Sequence, residues 1–207
     1  MRRTTPSVPD INTQRLSLRV LDSEYAQIWA DYALRNRDHH AASAPSRSDE
    51  YYGAEYWGER LINAQKRFEE GTSVEMFLLA RENPRRIIGN CSFDGFSFGA
   101  FQACYLGYNF DKDEVGNGYM TEALDAAISY AFELTGIHRI MANYMPTNAR
   151  SGNVLKRLGF RVEGYARNYL RLNGAWQDHI LTAMHSDEWN CRSDAPASTP
   201  RRPNGYY

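Results

Sequence analysis

The sequence predicts an α+β fold, a mixed sheet with helices packed on it, and three observations carry that expectation. Along the chain the hydrophobic period switches repeatedly between two and about 3.6 residues. The strand-like segments between Val74 and Phe110 are separated only by turn residues, the pattern of an antiparallel meander. On either side of that meander, strand-like and helical segments alternate, so the sheet must carry helices.

Each element has its own signal. Leu16, Leu18 and Val20 alternate with Arg15, Ser17 and Arg19, as in a half-buried strand. Asp22 then supplies an N-cap for a helix bearing Tyr25, Ile28, Trp29 and Tyr32 on one face. Residues 39–52, rich in Ala, Ser, Arg and Asp around Pro45, read as a long loop. A second helix is expected over 54–70, with Trp57, Leu61, Ala64 and Phe68 on one face and Gly71 at its end. Strands follow at 74–81, 86–93 and 102–110, with turns at Asn83-Pro84 and in the glycine-rich 94–100. After Gly116-Asn-Gly118 comes an amphipathic helix with the stripe Met120, Ala123, Leu124, Ala127, Ile128 and Ala131, stopped at Gly136. A strand at 139–144, a short helix at 150–158 ended by Gly159, and a strand at 160–165 come next. A closing pair, 169–172 and 176–184, is joined by the hairpin dipeptide Asn173-Gly174.

The 207 residues suit a single domain with a sizeable core, read here as residues 13–190. A polar N-terminal tail covers 1–12, and 191–207 has a composition too poor in apolar surface to order itself. Lys and Arg number 24 against 25 Asp and Glu, so overall charge would not hold nucleic acid. No apolar run approaches the roughly 18 residues of a membrane span. No apolar segment follows the arginines near the N-terminus, so the expected location is the cytoplasm. Three cysteines are too few for a disulfide framework, and no His or Cys spacing matches a metal site.

The informative segment runs from Tyr105 to Leu124, where a strand enters a Gly-x-Gly loop that opens onto a helix. Glycines admit close backbone approach, and a helix's first turn offers unpaired N–H groups and the positive end of its dipole. Such a loop suits a phosphate or pyrophosphate, and equally suits an ordinary connection before a surface helix. It lacks the Gly-Lys-Ser/Thr of a Walker loop. Thr121 stands where the third Rossmann glycine would be.

A second segment, Asn148-Ala-Arg-Ser-Gly-Asn-Val-Leu-Lys-Arg-Leu-Gly-Phe-Arg-Val-Glu-Gly164, joins the first in a longer pattern. Gly-x-Gly-Tyr-Met-Thr-Glu-Ala-Leu followed by Asn-x-x-Ser-x-x-Val-Leu-x-x-Leu-Gly-Phe-x-x-Glu-Gly resembles the GNAT acetyltransferases. Within them it is similar to the RimJ/RimL branch, which acetylates the N-termini of ribosomal proteins. The stretches 103–108, 138–146 and 176–179 bring it nearest the RimJ kind, and the resemblance spans about Thr13 to Trp189.

The resemblance implies a mostly antiparallel central sheet with helices on both faces and a splayed strand pair that binds coenzyme A. Tyr108, Asn109 and Phe110 on the splayed strand would pair with the pantetheine arm of acetyl-CoA. Val115, Gly116, Asn117, Gly118, Tyr119 and Met120 would cradle its pyrophosphate, and Asn148, Asn153 and Lys156 would contact the cofactor. Ser151 would protonate the leaving thiolate. The implied acceptor is the N-terminal segment of a ribosomal protein, with no metal, membrane or nucleic acid involved.

Two departures from the family pattern stand out. Asp113 occupies the place of the usual Gln or Arg, and with Asp111 and Glu114 it puts negative charge beside an expected anion site; Lys112, Lys156 or Arg157 are the candidates to offset it. Residues 104–110 lack the strand glutamate that serves many relatives as base, leaving Asp94 or Glu163 as candidates. An α-amine titrates near 7.7–8.0 and needs less help than a lysine near 10.4, so the gap favours an N-terminal acceptor. A small amine, or a CoA-binding interaction role with little catalysis, are the competing readings.

Cys104, on the cofactor strand, reads as core more than as a nucleophile. The histidines read as structural or surface groups. Tyr108, Tyr144, Tyr165 and Tyr169 fall where an acceptor groove or plain strand packing would use them. Residues 49–56 read as a solvated helix start or as a gate to the groove.

Overall fold

The computed structural model describes residues 9–193. Eight strands form one sheet: β1 (Asp10–Asn12), β2 (Leu16–Arg19), β3 (Ser73–Ala80), β4 (Asn83–Ser97), β5 (Ala103–Phe110), β6 (Arg139–Met141), β7 (Arg161–Leu172) and β8 (Ala175–His185). Their spatial order is β1-β2-β3-β4-β5-β6-β8-β7. The helices are α1 (Ala26–Arg35), α2 (Arg37–Ala41), α3 (Ala54–Glu69), α4 (Tyr119–Thr135), α5 (Ala149–Leu158) and α6 (Ser186–Ser193). None of the described helices is long and apolar enough to cross a membrane.

Every neighbouring pair of strands is antiparallel except β5 and β6. That parallel pairing holds only for Ala103, Cys104 and Tyr105 against Arg139, Ile140 and Met141. Beyond it β5 stays with β4, where Leu106 to Phe110 pair with Phe93 to Gly89. The chain leaving β6 stays instead with β8: Ala142 N–H donates to Thr182 O at 3.0 Å and Tyr144 N–H to Ile180 O at 3.2 Å. The two strands therefore part, and the β6-facing edge of Leu106–Phe110 is left without a strand partner. This is the expected splay.

The sheet is covered on both faces. Val74, Met76 and Leu78 of β3 share a core with Leu124, Ile128 and Phe132 of α4 and with Leu155 and Leu158 of α5. Phe77 and Leu79 pack with Trp29 of α1 and with Trp57 and Leu61 of α3. Both faces of β3 thus go dry, and all eight of its residues are buried. Glu75 shares the face of Phe77. That leaves a carboxylate in an apolar layer.

Several expectations are corrected. Asp10–Asn12 pair with β2, so the tail read over 1–12 fails at its end. Cys191 to Ser193 close α6 instead of opening a tail, because Trp189 of that helix is buried against Phe132. The rest of the expected C-terminal tail, 194–207, lies outside the described residues. The loop read over 39–52 contains the end of α2 and a 3-10 turn, Asp49–Tyr52. The strands expected at 160–165 and 169–172 are one strand, β7, whose two register shifts against β8 absorb the break in pattern. The glycine stops hold: Gly136 and Gly159 are left-handed helix ends, at φ 63° and 87°.

Candidate functional site

A cleft of about 1010 Å³ opens where β5 and β6 part. Tyr108, Asn109 and Phe110 form its β5 wall; Val115, Gly116, Gly118, Tyr119 and Met120 its loop and helix end; Asn148 and Ser151 the opposing wall. Ten of the positions singled out in the sequence therefore meet in one space. Asn117, Asn153 and Lys156 do not line it, and Arg150 and Arg157 do. The reason is helical spacing. Arg150, Val154 and Arg157 stand at i, i+4 and i+7 on the cleft face of α5, while Asn153 and Lys156 are turned away and exposed.

The loop from Asp111 to Gly118 owes its shape to cations reaching in from elsewhere. Asp111 accepts from Arg35 of α1 at 2.5 Å and from Asp113 N–H at 3.1 Å, while Asn36 accepts from Lys112 N–H at 2.9 Å. Burial pushes the Asp111 carboxyl up, but these hydrogen bonds and the Arg35 charge outweigh it and hold the group below its usual range. Glu114 is paired with Arg86. Arg15 donates through Nε to Glu122 at 2.7 Å and through Nη1 to Asn117 O at 2.9 Å, and its guanidinium lies 4.1 Å over the Tyr119 ring. Of the three acidic residues set against an anion, Asp111 is spent on Arg35 and Glu114 on Arg86, not on Lys112, Lys156 or Arg157, while Arg15 pairs with Glu122. Arg15 reads in the sequence only as the polar half of a strand alternation. Its loop partner is 102 residues away, beyond any local pattern.

Gly118 starts α4 at φ 78°, and a Cβ there would meet nothing nearer than the Arg15 side chain at 3.7 Å. The position needs glycine for its left-handed backbone, with space to spare. Gly152 is the opposite case. A Cβ there would fall 2.6 Å from the Tyr144 ring, so glycine is needed for close approach of α5 to that ring.

Asn148 caps α5, its Oδ1 accepting from Ser151 N–H at 3.1 Å. The Ser151 hydroxyl is therefore released from capping and instead lies 2.7 Å from the Tyr108 hydroxyl. The Tyr108 hydroxyl also donates to Ser151 O at 3.3 Å. Burial pushes the Tyr108 phenol up to about 12, so it remains a donor.

A second cavity, of about 600 Å³, lies on the other side of β5, toward α1 and α3. His40, Ser43, Tyr108 and Asn109 line both spaces, so the two meet at β5. Its walls are aromatic, with Trp29, Tyr32, Tyr51, Tyr52, Tyr56 and Trp57. Tyr51, Tyr52 and Tyr56 of the 49–56 run line this cavity. His40 Nε2–H donates to Phe110 O at 2.9 Å, and burial lowers this histidine against the opposing pull of that carbonyl.

A hydrogen-bonded chain crosses the cavity floor. The Tyr32 hydroxyl donates to Asn109 Oδ1 at 2.7 Å, Asn109 Nδ2 donates to Asn90 Oδ1, and Asn90 Nδ2 donates to Glu75 Oε1 at 3.0 Å. Asp94 and Glu163 line neither space. Asp94 is bonded to Ser73 at 2.6 Å and Arg67 at 3.3 Å, and Glu163 is paired with Arg139. Glu75 is the carboxylate that sequence reading missed, hidden in what looks like a buried strand. Cys104 is fully buried in the core, with burial pushing its thiol up to about 12, and lines neither cavity. Tyr144 faces Gly152, whereas Tyr165 is exposed and Tyr169 bonds Asn143 at 3.0 Å; Tyr165 and Tyr169 line neither cavity.

Comparison with known proteins matches residues 15–161 to the acetyltransferase (GNAT) domain. The chain is 40% identical over 188 residues to the [ribosomal protein uS5]-alanine N-acetyltransferase of Escherichia coli, covering 91% of this chain and 96% of that one. It superposes on the ribosomal-protein-S5-alanine acetyltransferase of Vibrio fischeri with a TM-score of 0.82 and 34% identity, over 87% of this chain and 98% of that one. It superposes on Mycobacterium smegmatis RimJ in complex with CoA-disulfide with a TM-score of 0.78 and 25% identity, over 84% and 83%.

Proposed function

Since the chain belongs to the GNAT acetyltransferase family and is an acyltransferase, we propose that it transfers acetyl from acetyl-CoA to the N-terminal amine of a ribosomal protein, in the cytoplasm. The observation that carries this reading is the meeting of two cavities at one exposed strand, β5.

The cleft fits the donor. The unpaired edge of Leu106–Phe110 suits an extended amide chain, and the left-handed Gly116 and Gly118 turn the backbone at the start of α4 beside an anion. Arg150 and Arg157 add positive charge at the cleft wall. Tyr108, Asn109, Phe110, Asn148 and the 115–120 loop are the proposed contacts. On the acceptor side, a cavity with aromatic walls holds the terminal residue of a peptide and admits no bulky folded surface.

Transfer is direct. The neutral amine attacks the thioester carbonyl, the C–N bond forms, the C–S bond breaks and a thiolate departs. Either hydroxyl can donate across the 2.7 Å Tyr108–Ser151 contact, and with the tyrosine as donor the serine's own proton passes to the sulfur. A thiol titrates near 8.5, so the thiolate leaves tolerably, and this acid contributes at the low end of about 10²–10⁴-fold.

Thiol release from acetyl-CoA, measured with a panel of N-terminal peptides and small amines, tests the reading. Turnover with peptides is expected. Turnover with small amines alone, or with nothing, overturns it.

A further inference from the structure

Glu75, Ser92 and Gly107 stand in one row across β3, β4 and β5, since Glu75 pairs with Ser92 and Ser92 with Gly107. All three line the acceptor-side cavity. Gly107 presents no side chain there, and it precedes Tyr108, where the cavity meets the cleft. The Ser92 hydroxyl makes no hydrogen bond among the described residues. Glu75 is 3% exposed, and its Oε2 has no hydrogen-bond partner. Arg60 Nη2 lies 3.1 Å from that oxygen and Arg67 Nη2 lies 3.7 Å away, both outside hydrogen-bonding geometry. That oxygen is held by two ion pairs alone, and its carboxylate stands in the wall of the acceptor-side cavity.

The arriving amine sets the requirement. It enters mainly as an ammonium, which cannot attack a thioester until a proton is removed. Among the described residues lining this cavity, Glu75 is the one carboxylate. His40 is the other group able to take a proton near neutrality. Its Nε2 is held at the Phe110 carbonyl, three residues along β5 from Gly107, so it is the rival that the test must separate from Glu75.

We infer that Glu75 is the terminal acceptor for the proton that the amine must lose, reached through the Ser92 hydroxyl and solvent in the cavity. The inference rests on the acetyl-transfer reading above. An ammonium N–H bond breaks, its electron pair stays on nitrogen, and an O–H bond forms at the Glu75 carboxylate. After attack, the second nitrogen proton replaces the one Ser151 gives to the thiolate. One proton per turnover then leaves, from Glu75 to bulk water. The charged groups that act on this carboxylate are Arg60 and Arg67 on α3 and Asp94 on β4; the neutral Cys91 thiol lies on the opposite sheet face. Burial is the largest influence and leaves the group above the usual carboxylate range.

The test is kcat against pH at saturating acetyl-CoA and peptide, for the wild type, Glu75→Gln and His40→Gln. Peptide turnover by the wild type is established first; its absence overturns the function reading and this one together. With turnover present, the wild-type rate falls at acid pH as Glu75 gains its proton. Glu75→Gln lowers kcat by about 10²-fold, leaves the KM for acetyl-CoA unchanged, and moves the acid limb up toward the amine's own range near 7.7–8.0. An unmoved limb in Glu75→Gln, or a limb lost in His40→Gln instead, overturns only the role of Glu75. Should Glu75→Gln not fold, Glu75→Asp keeps the question open to decision: it retains the wild-type acid limb at reduced kcat, and its losing that limb overturns the inference.

Discussion

The two sides of β5 are built from different material. On the side proposed for the donor the surface is mostly backbone: an unpaired strand edge, a left-handed glycine loop and the first turn of a helix. On the acceptor side it is side chain, with aromatic groups from α1, α3 and the turn between α2 and α3 packed over a polar chain ending at Glu75. A backbone surface of this kind is insensitive to most substitutions. A side-chain surface is particular to its acceptor, and it also helps hold the sheet together, because Trp29 lies in the core with Tyr32, Trp57 and Phe77 around it.

That contrast breaks if the aromatic side proves dispensable for folding. Trp29→Ala removes a side chain that is 1% exposed, and a loss of about 3–5 kcal/mol is expected in chemical denaturation. A loss below about 1 kcal/mol would show that the acceptor wall is separable from the core.

On the proposed donor side the effects divide between function and stability. Ser151→Ala should lower kcat by about 10²-fold with the melting temperature and acetyl-CoA affinity unchanged, since the cap belongs to Asn148. A stable Ser151→Ala with undiminished kcat removes the serine from the mechanism. Gly118→Val forces a β-branched residue to φ 78°, at a cost of roughly 1–2 kcal/mol, so acetyl-CoA affinity by calorimetry should fall about 5- to 30-fold. Unchanged affinity would end the assignment of the loop. Asn148→Ala sharpens the comparison from the other direction: it should cost about 1 kcal/mol of stability as a lost cap and leave kcat per folded molecule near wild type. Arg15→Ala should have the smallest effect, a few-fold weaker acetyl-CoA binding without loss of fold, because its ion pair with Glu122 is part-exposed and only shapes the loop.

Much of the fold was legible because its signals are local. The α4 stripe, the glycine stops at Gly136 and Gly159, and the Asn173-Gly174 turn, with φ 47° and 80°, need only neighbours in sequence to act. The misreadings lie where tertiary packing overrides local pattern. Trp189 anchors a helix that runs past residue 190 into the stretch read as a tail, and the β8 pairing carries β7 through two irregularities.

The sequence by itself determined the α+β class, the order of the main strands and helices, and the glycine loop at the start of α4, since each is specified by a contiguous run. Only the tertiary structure decided which cations neutralise that loop, that Ser151 turns to Tyr108 while Asn148 caps, and that Glu75 ends a chain begun at Tyr32. Each of those depends on groups far apart in the chain, 43 residues for Tyr108 and Ser151 and 77 for Tyr32 and Asn109. No periodicity encodes such a meeting; it exists only once the sheet has set its register.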